Sequence, residues 1–228
     1  MHKVLIGLLA LLLAGCSSIS GGEGMQLRNI AKSDVDLVTE LHYQQIDVLL
    51  RKLMIKLYKR NPDQLKKNFN VSIQQQVTRL FDKGKTDADT SVGVAEHLAS
   101  MHLAMDSEYA GDRVFTLMRG LKGMLDESYN NQSEFYLLSS SLNENKLYKS
   151  ARNIEVLLWM LSHRTDNNGR LLLFTNSIDG EPRNLSFERL FGKLIATQDM
   201  MSRITAQKNQ RMINIVVHNA ASMVFLPF

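Results

Sequence analysis

Apolar residues recur along most of this chain at the three-and-four spacing of an α-helix, and period-two alternation is scarce. Ser33-Asp34-Val35-Asp36 reads as a capping box at a helix start. In the helix predicted over 35–58, Asp47, Arg51, Lys52, Lys56 and Lys59 fall on one polar stripe, and nearly everything else from Ile46 to Tyr58 is apolar, so this helix is buried on most sides. Asn61-Pro62 ends it and starts a short helix, with Asn61 as cap and Pro62 in the first turn. Ser72-Ile73-Gln74-Gln75 is a second capping box, leading a helix to Phe81, and a polar loop follows from Asp82 to Thr90.

Further helical stretches are predicted over 92–105, 112–129, 133–141 and 146–163, with a break at Asn143 to Asn145. The stretch 146–163 holds the densest apolar patch and the one tryptophan, Trp159, which makes it the candidate centre of the core. Asp166-Asn167-Asn168-Gly169 and Asp179-Gly180 are turn signals. Leu171 to Thr175 suits a short strand, leaving room for one short β-hairpin near 171–185. Ser186 then caps a long helical pattern reaching Phe225, with a polar stretch from Thr205 to Arg211. With three prolines in 228 residues and no internal repeat, the expected fold is all-α: one compact, bundle-like helical domain of antiparallel neighbours.

The first residues change the picture. Met1-His2-Lys3 is a short basic segment, Val4 to Leu13 is apolar, and small residues lead up to Cys16. The apolar run falls well short of the roughly 20 residues that span a bilayer, so it reads as a secretory signal. Leu13-Ala14-Gly15-Cys16 resembles the bacterial lipobox. That resemblance implies cleavage before Cys16, acylation of Cys16, and a membrane-lipid partner through its acyl chains, two or more of which anchor stably. By resemblance to lipoprotein sorting signals, Ser17 in place of an aspartate favours the outer membrane, facing the periplasm. The expected organisation is a signal over 1–15, a lipidated cysteine and flexible tether over 16–32, and a helical domain over 33–228. The tether reaches at most about 55 Å when fully stretched.

Cys16 is the sole cysteine, so the domain carries no disulfide. The net charge is +4, or +3 once Lys3 leaves with the signal. Such a surface suits anionic headgroups or cell-wall polymers. An envelope location leaves no nucleic-acid partner.

Four constellations carry candidate chemistry. Glu127-Ser128 matches the glutamate-serine pair of lytic transglycosylases, where the glutamate is a general acid. The Gly-Leu-Met-Gln-type segment of that family does not follow it, and a polar helix terminus is the simpler account. His97, Met101 and Met105 share a helix face near His102, and thioethers with imidazole suit Cu(I), although methionines also fill core gaps. Arg51, Lys52, Lys56, Lys59, Arg60, Lys66 and Lys67 form a basic stretch opposed only by Asp63, suited to an acidic partner or to the solvated stripe that a buried helix needs. The apolar tail Met223 to Phe228 folds back on the domain or docks elsewhere. The residues expected to meet a partner are therefore Arg51, Lys52, Lys56, Lys59, Arg60, Phe225 and Phe228.

No nucleophile elbow, metalloprotease helix or phosphate-binding loop is present in the sequence, and no cofactor is implied. Ser150-Ala151-Arg152-Asn153-Ile154-Glu155, the run Asn184 to Lys193, and the Met223 to Phe228 tail together are similar to a group of proteobacterial lipoproteins of no known activity. That resemblance implies lineage and no mechanism. The expected function is a non-catalytic adaptor or accessory subunit of an envelope complex; the alternatives are a cell-wall enzyme and a metal or small-ligand carrier.

Overall fold

The computed structural model describes residues 32–67, 71–82, 93–136, 142–177 and 180–209. Cys16, the signal and nearly all of the tether lie outside these residues, as do the Asp82–Thr90 loop beyond Asp82, Phe225 and Phe228. Seven helices occur among the described residues: α1 Asp34–Arg60, α2 Asp63–Lys66, α3 Ile73–Phe81, α4 Val94–Ala104, α5 Arg113–Ser128, α6 Glu144–His163 and α7 Ser186–Lys208. The domain is all-α. No helix among the described residues is long and apolar enough to cross a membrane.

Local chemistry explains most of the helix starts. Ser33 and Asp36 close a reciprocal capping box on α1, and Ser72 and Gln75 do the same on α3. The Asp112 carboxylate accepts from Phe115 N at the start of α5, and Asn143 accepts from Asn145 N and Lys146 N at the start of α6. Asn61 departs from expectation. Its side chain donates to Leu57 O and Phe174 O and accepts from Phe174 N, so it joins the end of α1 to the 171–177 segment instead of capping α2. Ser186 also departs: it is the first residue of α7, which has no side-chain cap.

α4 packs on α5 and α6 on α7, while α1 lies against α3, α5 and α7. Leu53, Met54 and Leu57 of α1 meet Leu117, Met118 and Leu121 of α5, Leu147, Ile154 and Leu157 of α6, and Phe187, Phe191 and Leu194 of α7 in one core cluster. Burying each such side chain contributes about 2 kcal/mol. Trp159 is not the centre of this core. It is partly buried at its edge, with its ring stacked on His163 at 4.6 Å.

The 171–185 hairpin is absent among the described residues. Leu171 makes one isolated bridge, to Thr165 across the Gly169 turn, and no strand forms. Asn61 takes the polar backbone groups of Phe174 that a strand partner would have used. Residues 133–136 are not helical, and 137–141 lie outside the described residues.

Candidate functional site

Lys56 projects from α1 toward the first turn of α7. Its ammonium donates to Ser186 Oγ and lies 4.5 Å from the centre of the Phe187 ring. Burial lowers its pKa from the ordinary lysine value, and the neighbouring Arg189 lowers it further. Lys52, Ile55 and Lys56 of α1 and Ser186, Arg189, Leu190 and Lys193 of α7 line a hollow of about 410 Å³. Four of these seven side chains are cationic. Lys52, Arg189 and Lys193 are exposed and form no ion pair among the described residues. Ile55 and Leu190 give the hollow an apolar floor. The positive end of the α7 dipole opens onto the same place.

A second hollow, of about 350 Å³, lies further along the same two helices, lined by Val38, Leu41, His42 and Gln45 of α1 and Thr197 of α7. α1 and α7 run antiparallel, since Lys56 meets Ser186 at one end and Lys208 Nζ lies 3.2 Å from Asp36 Oδ1 at the other. The α1–α7 crevice is therefore cationic at one end and apolar at the other.

The basic stretch expected from the sequence divides. Lys52 and Lys56 line the crevice. Arg51 is committed elsewhere, to Asp47 at 2.6 Å and Asp82 at 2.7 Å, with its guanidinium over Phe81. Arg60 pairs with Glu181 and donates to Asn176 O, holding the loop before α7. Lys59 is exposed and does not line the hollow, and Lys66 pairs locally with Asp63 at 2.6 Å. Sequence reading missed Arg189 and Lys193. Their signal was the polar spacing within α7, which names no partner until α1 is placed beside it.

Glu127-Ser128 and the His97 face are engaged in structural contacts, and the Met223 to Phe228 tail lies outside the described residues. Glu127 is clamped: Oε1 lies 3.1 Å from Lys146 Nζ and Oε2 accepts from Asn131 at 3.0 Å. The carboxylate is thus engaged by a cation and by an amide. Ser128 is fully buried, donating to Leu125 O at 2.7 Å and accepting from Gln198 Nε2 at 3.2 Å. Met101 and Met105 belong to the core. His97 packs its ring against Gly123, and burial lowers its pKa, partly offset by Glu127 and Asp126. Among the described residues no three His, Cys, Asp or Glu side chains are placed to hold a metal.

Comparison with protein-family models, with curated proteins and with solved structures gave no match.

Proposed function

We propose that this chain is a lipid-anchored accessory module of the bacterial envelope, tethered through an acylated Cys16 to the periplasmic face of the outer membrane, and that it docks a protein partner in the α1–α7 crevice. One observation carries the docking half of this reading. Lys52, Lys56, Arg189 and Lys193 converge over an apolar floor, and no acidic side chain lines the hollow with them. Cations gathered from two helices repel one another, and Lys52, Arg189 and Lys193 have no ion-pair partner among the described residues to offset it. An anionic partner relieves that repulsion and gains from the apolar floor, the combination that sets both encounter rate and register at protein interfaces.

The anchoring half rests on the signal and the Leu13-Ala14-Gly15-Cys16 lipobox resemblance, with the tether giving the domain reach from the bilayer.

Both halves have direct tests. Growth with an alkyne fatty acid labels the wild-type chain and leaves Cys16→Ser unlabelled if the anchor reading holds. Crosslinking in living cells, followed by affinity purification of the intact chain, returns a reproducible envelope protein whose yield falls about tenfold with Lys52→Glu plus Lys193→Glu. Lys67→Glu, at the exposed residue just after α2, leaves that yield unchanged. Repeated purification without a partner ends the docking reading.

A further inference from the structure

The two walls of the crevice share one periodicity. On α1 the hollows are lined by Val38, Leu41, His42, Gln45, Lys52, Ile55 and Lys56, and the exposed Val48 falls on the same face, three residues from Gln45 and four from Lys52. On α7 they are Ser186, Arg189, Leu190, Lys193 and Thr197, with the exposed Met200 three residues further on. Three- and four-residue spacing marks one face of each helix, and two such faces side by side form a groove that suits another helix lying nearly parallel to them.

The exposed apolar side chains fall on the same seam. Leu41 is 63 % exposed, Met200 52 % and Val48 42 %, and Leu37 and Leu185 stand beside them. Leu103 is the single large apolar side chain exposed elsewhere among the described residues. Scattered single exposures would need no explanation, whereas a row of them on two facing helices marks a contact surface. From Leu41 to Lys52 is about 16 Å along α1, the length of about eleven helical residues. Leu41 and Lys52 line different hollows, so one helix of three turns reaches from one into the other.

We infer that the occupant of the crevice is an acidic amphipathic helix of a partner protein, lying lengthwise between α1 and α7. This deepens the docking reading above and rests on it. The occupant's apolar stripe sits against Leu41, Val48 and Met200, and its carboxylates cluster at the end that meets Lys52, Lys56, Arg189 and Lys193. This is helix-in-groove recognition, with apolar anchors at three- and four-residue spacing. An extended peptide repeats its side chains every two residues and does not match walls spaced at three and four residues. A flat lipid surface fills neither hollow. The segment 210–228 of this chain carries Arg211 and no Asp or Glu side chain, so it does not neutralise the four cations.

The test places a photo-crosslinking residue, one position at a time, along α1 of the full chain in living cells. Positions 38, 41, 45, 48, 52 and 55 should crosslink to one partner at least fivefold more than Glu40 and Asp47, which lie off the seam. Mass spectrometry of the joined peptides should find a helix-forming segment with apolar residues every three or four positions and acids at one end. Lys52→Glu plus Lys193→Glu should lower crosslinking at Leu41 about tenfold while leaving the circular dichroism spectrum intact, and reversing the partner's acids to lysine should restore it. Crosslinks to a second copy of this chain, to lipid, or to an extended or basic segment would overturn the helix assignment and leave the crevice as a docking surface. No protein crosslink at any seam position would overturn the docking reading itself.

Discussion

The Lys56 ammonium is held 4.5 Å from the centre of the Phe187 ring, joining the last turns of α1 to the first turn of α7. The two residues differ in what they do for the fold. Phe187 is buried in the core beside Phe191, whereas Lys56 is half-exposed and carries a charge that burial and Arg189 both disfavour. Lys56→Met should therefore change stability by less than about 1 kcal/mol, because the lost cation–π contact is offset by relief from Arg189. Phe187→Ala should cost about 3–5 kcal/mol through lost burial and the cavity left behind. Chemical denaturation of the two variants checks this, and a large loss in Lys56→Met would mean that its charge serves the fold.

The same lysine gives a pH dependence with a definite sign. Its folded pKa lies below the ordinary lysine value of 10.5, so the folded state binds fewer protons than the unfolded state in the interval between the two. Stability should rise as pH increases from the folded value toward 10.5, and this rise should vanish in Lys56→Met. Comparing denaturation midpoints of the two proteins across alkaline pH reads it directly.

At the far end of the same helix pair the sign is the same, but the window lies in the acid range. Asp36 is buried, which pushes its carboxyl up, but Ser33 donates to Oδ2 from its hydroxyl at 2.7 Å and its amide at 2.9 Å, and Lys208 adds its charge; the net is a pKa below the ordinary 3.8. A depressed carboxyl stabilises the fold above its unfolded pKa, and that contribution is lost as pH falls through the folded value. Ser33→Ala should cost about 1 kcal/mol at neutral pH. Asp36→Asn should flatten the acid limb of the stability profile below pH 3.8.

What was legible in the sequence was what is local. Ser33 with Asp36 and Ser72 with Gln75 meet within a single turn, so three-residue spacing announces them. Lys52 and Lys56 were legible as a polar stripe for the same reason. Arg51 and Arg60 were not separable from them, because only the placement of Asp82 and Glu181, distant in sequence, shows that these two cations are spent on structure. Ser186 has a capping residue's chemistry and would cap in isolation, yet its hydroxyl accepts from Lys56, 130 positions away in the chain. Trp159 was mistaken for the core centre because size and hydrophobicity say nothing about which side of α6 faces α7. The crevice itself needs α1 and α7 side by side, and no spacing within either helix states that.

Close approach of α4 to α5 is set by two glycines, and they should respond differently to alanine. A Cβ on Gly120 would lie 2.5 Å from the His97 carbonyl oxygen, which is backbone and cannot turn away. A Cβ on Gly123 would overlap the His97 ring, which can be removed. The helix-propensity gain of about 1 kcal/mol is outweighed at both sites by overpacking of about 1–3 kcal/mol or more. Combining Gly123→Ala with His97→Ala should recover most of the Gly123→Ala loss, while Gly120→Ala should gain little from that second change. A double-mutant cycle by urea denaturation measures both couplings.

Neighbouring residues Glu127 and Ser128 should separate in the direction opposite to a catalytic reading. If Glu127 were a general acid assisted by Ser128, Glu127→Gln would be the damaging change for activity and both changes would be mild for the fold. The geometry orders them otherwise. Glu127 is partly exposed, and its pairing with Lys146 at 3.1 Å is worth about 1 kcal/mol or less at such a site. Ser128 is fully buried, and its Oγ is the acceptor for the buried Gln198 amide nitrogen at 3.2 Å, while Gln198 Oε1 already lacks a hydrogen-bond partner among the described residues. Ser128→Ala leaves both ends of that buried amide unsatisfied, a loss of about 1–3 kcal/mol. Ser128→Ala should therefore lower the denaturation midpoint clearly more than Glu127→Gln does. Equal or inverted losses would show that Gln198 finds another partner and that the buried amide does not depend on Ser128.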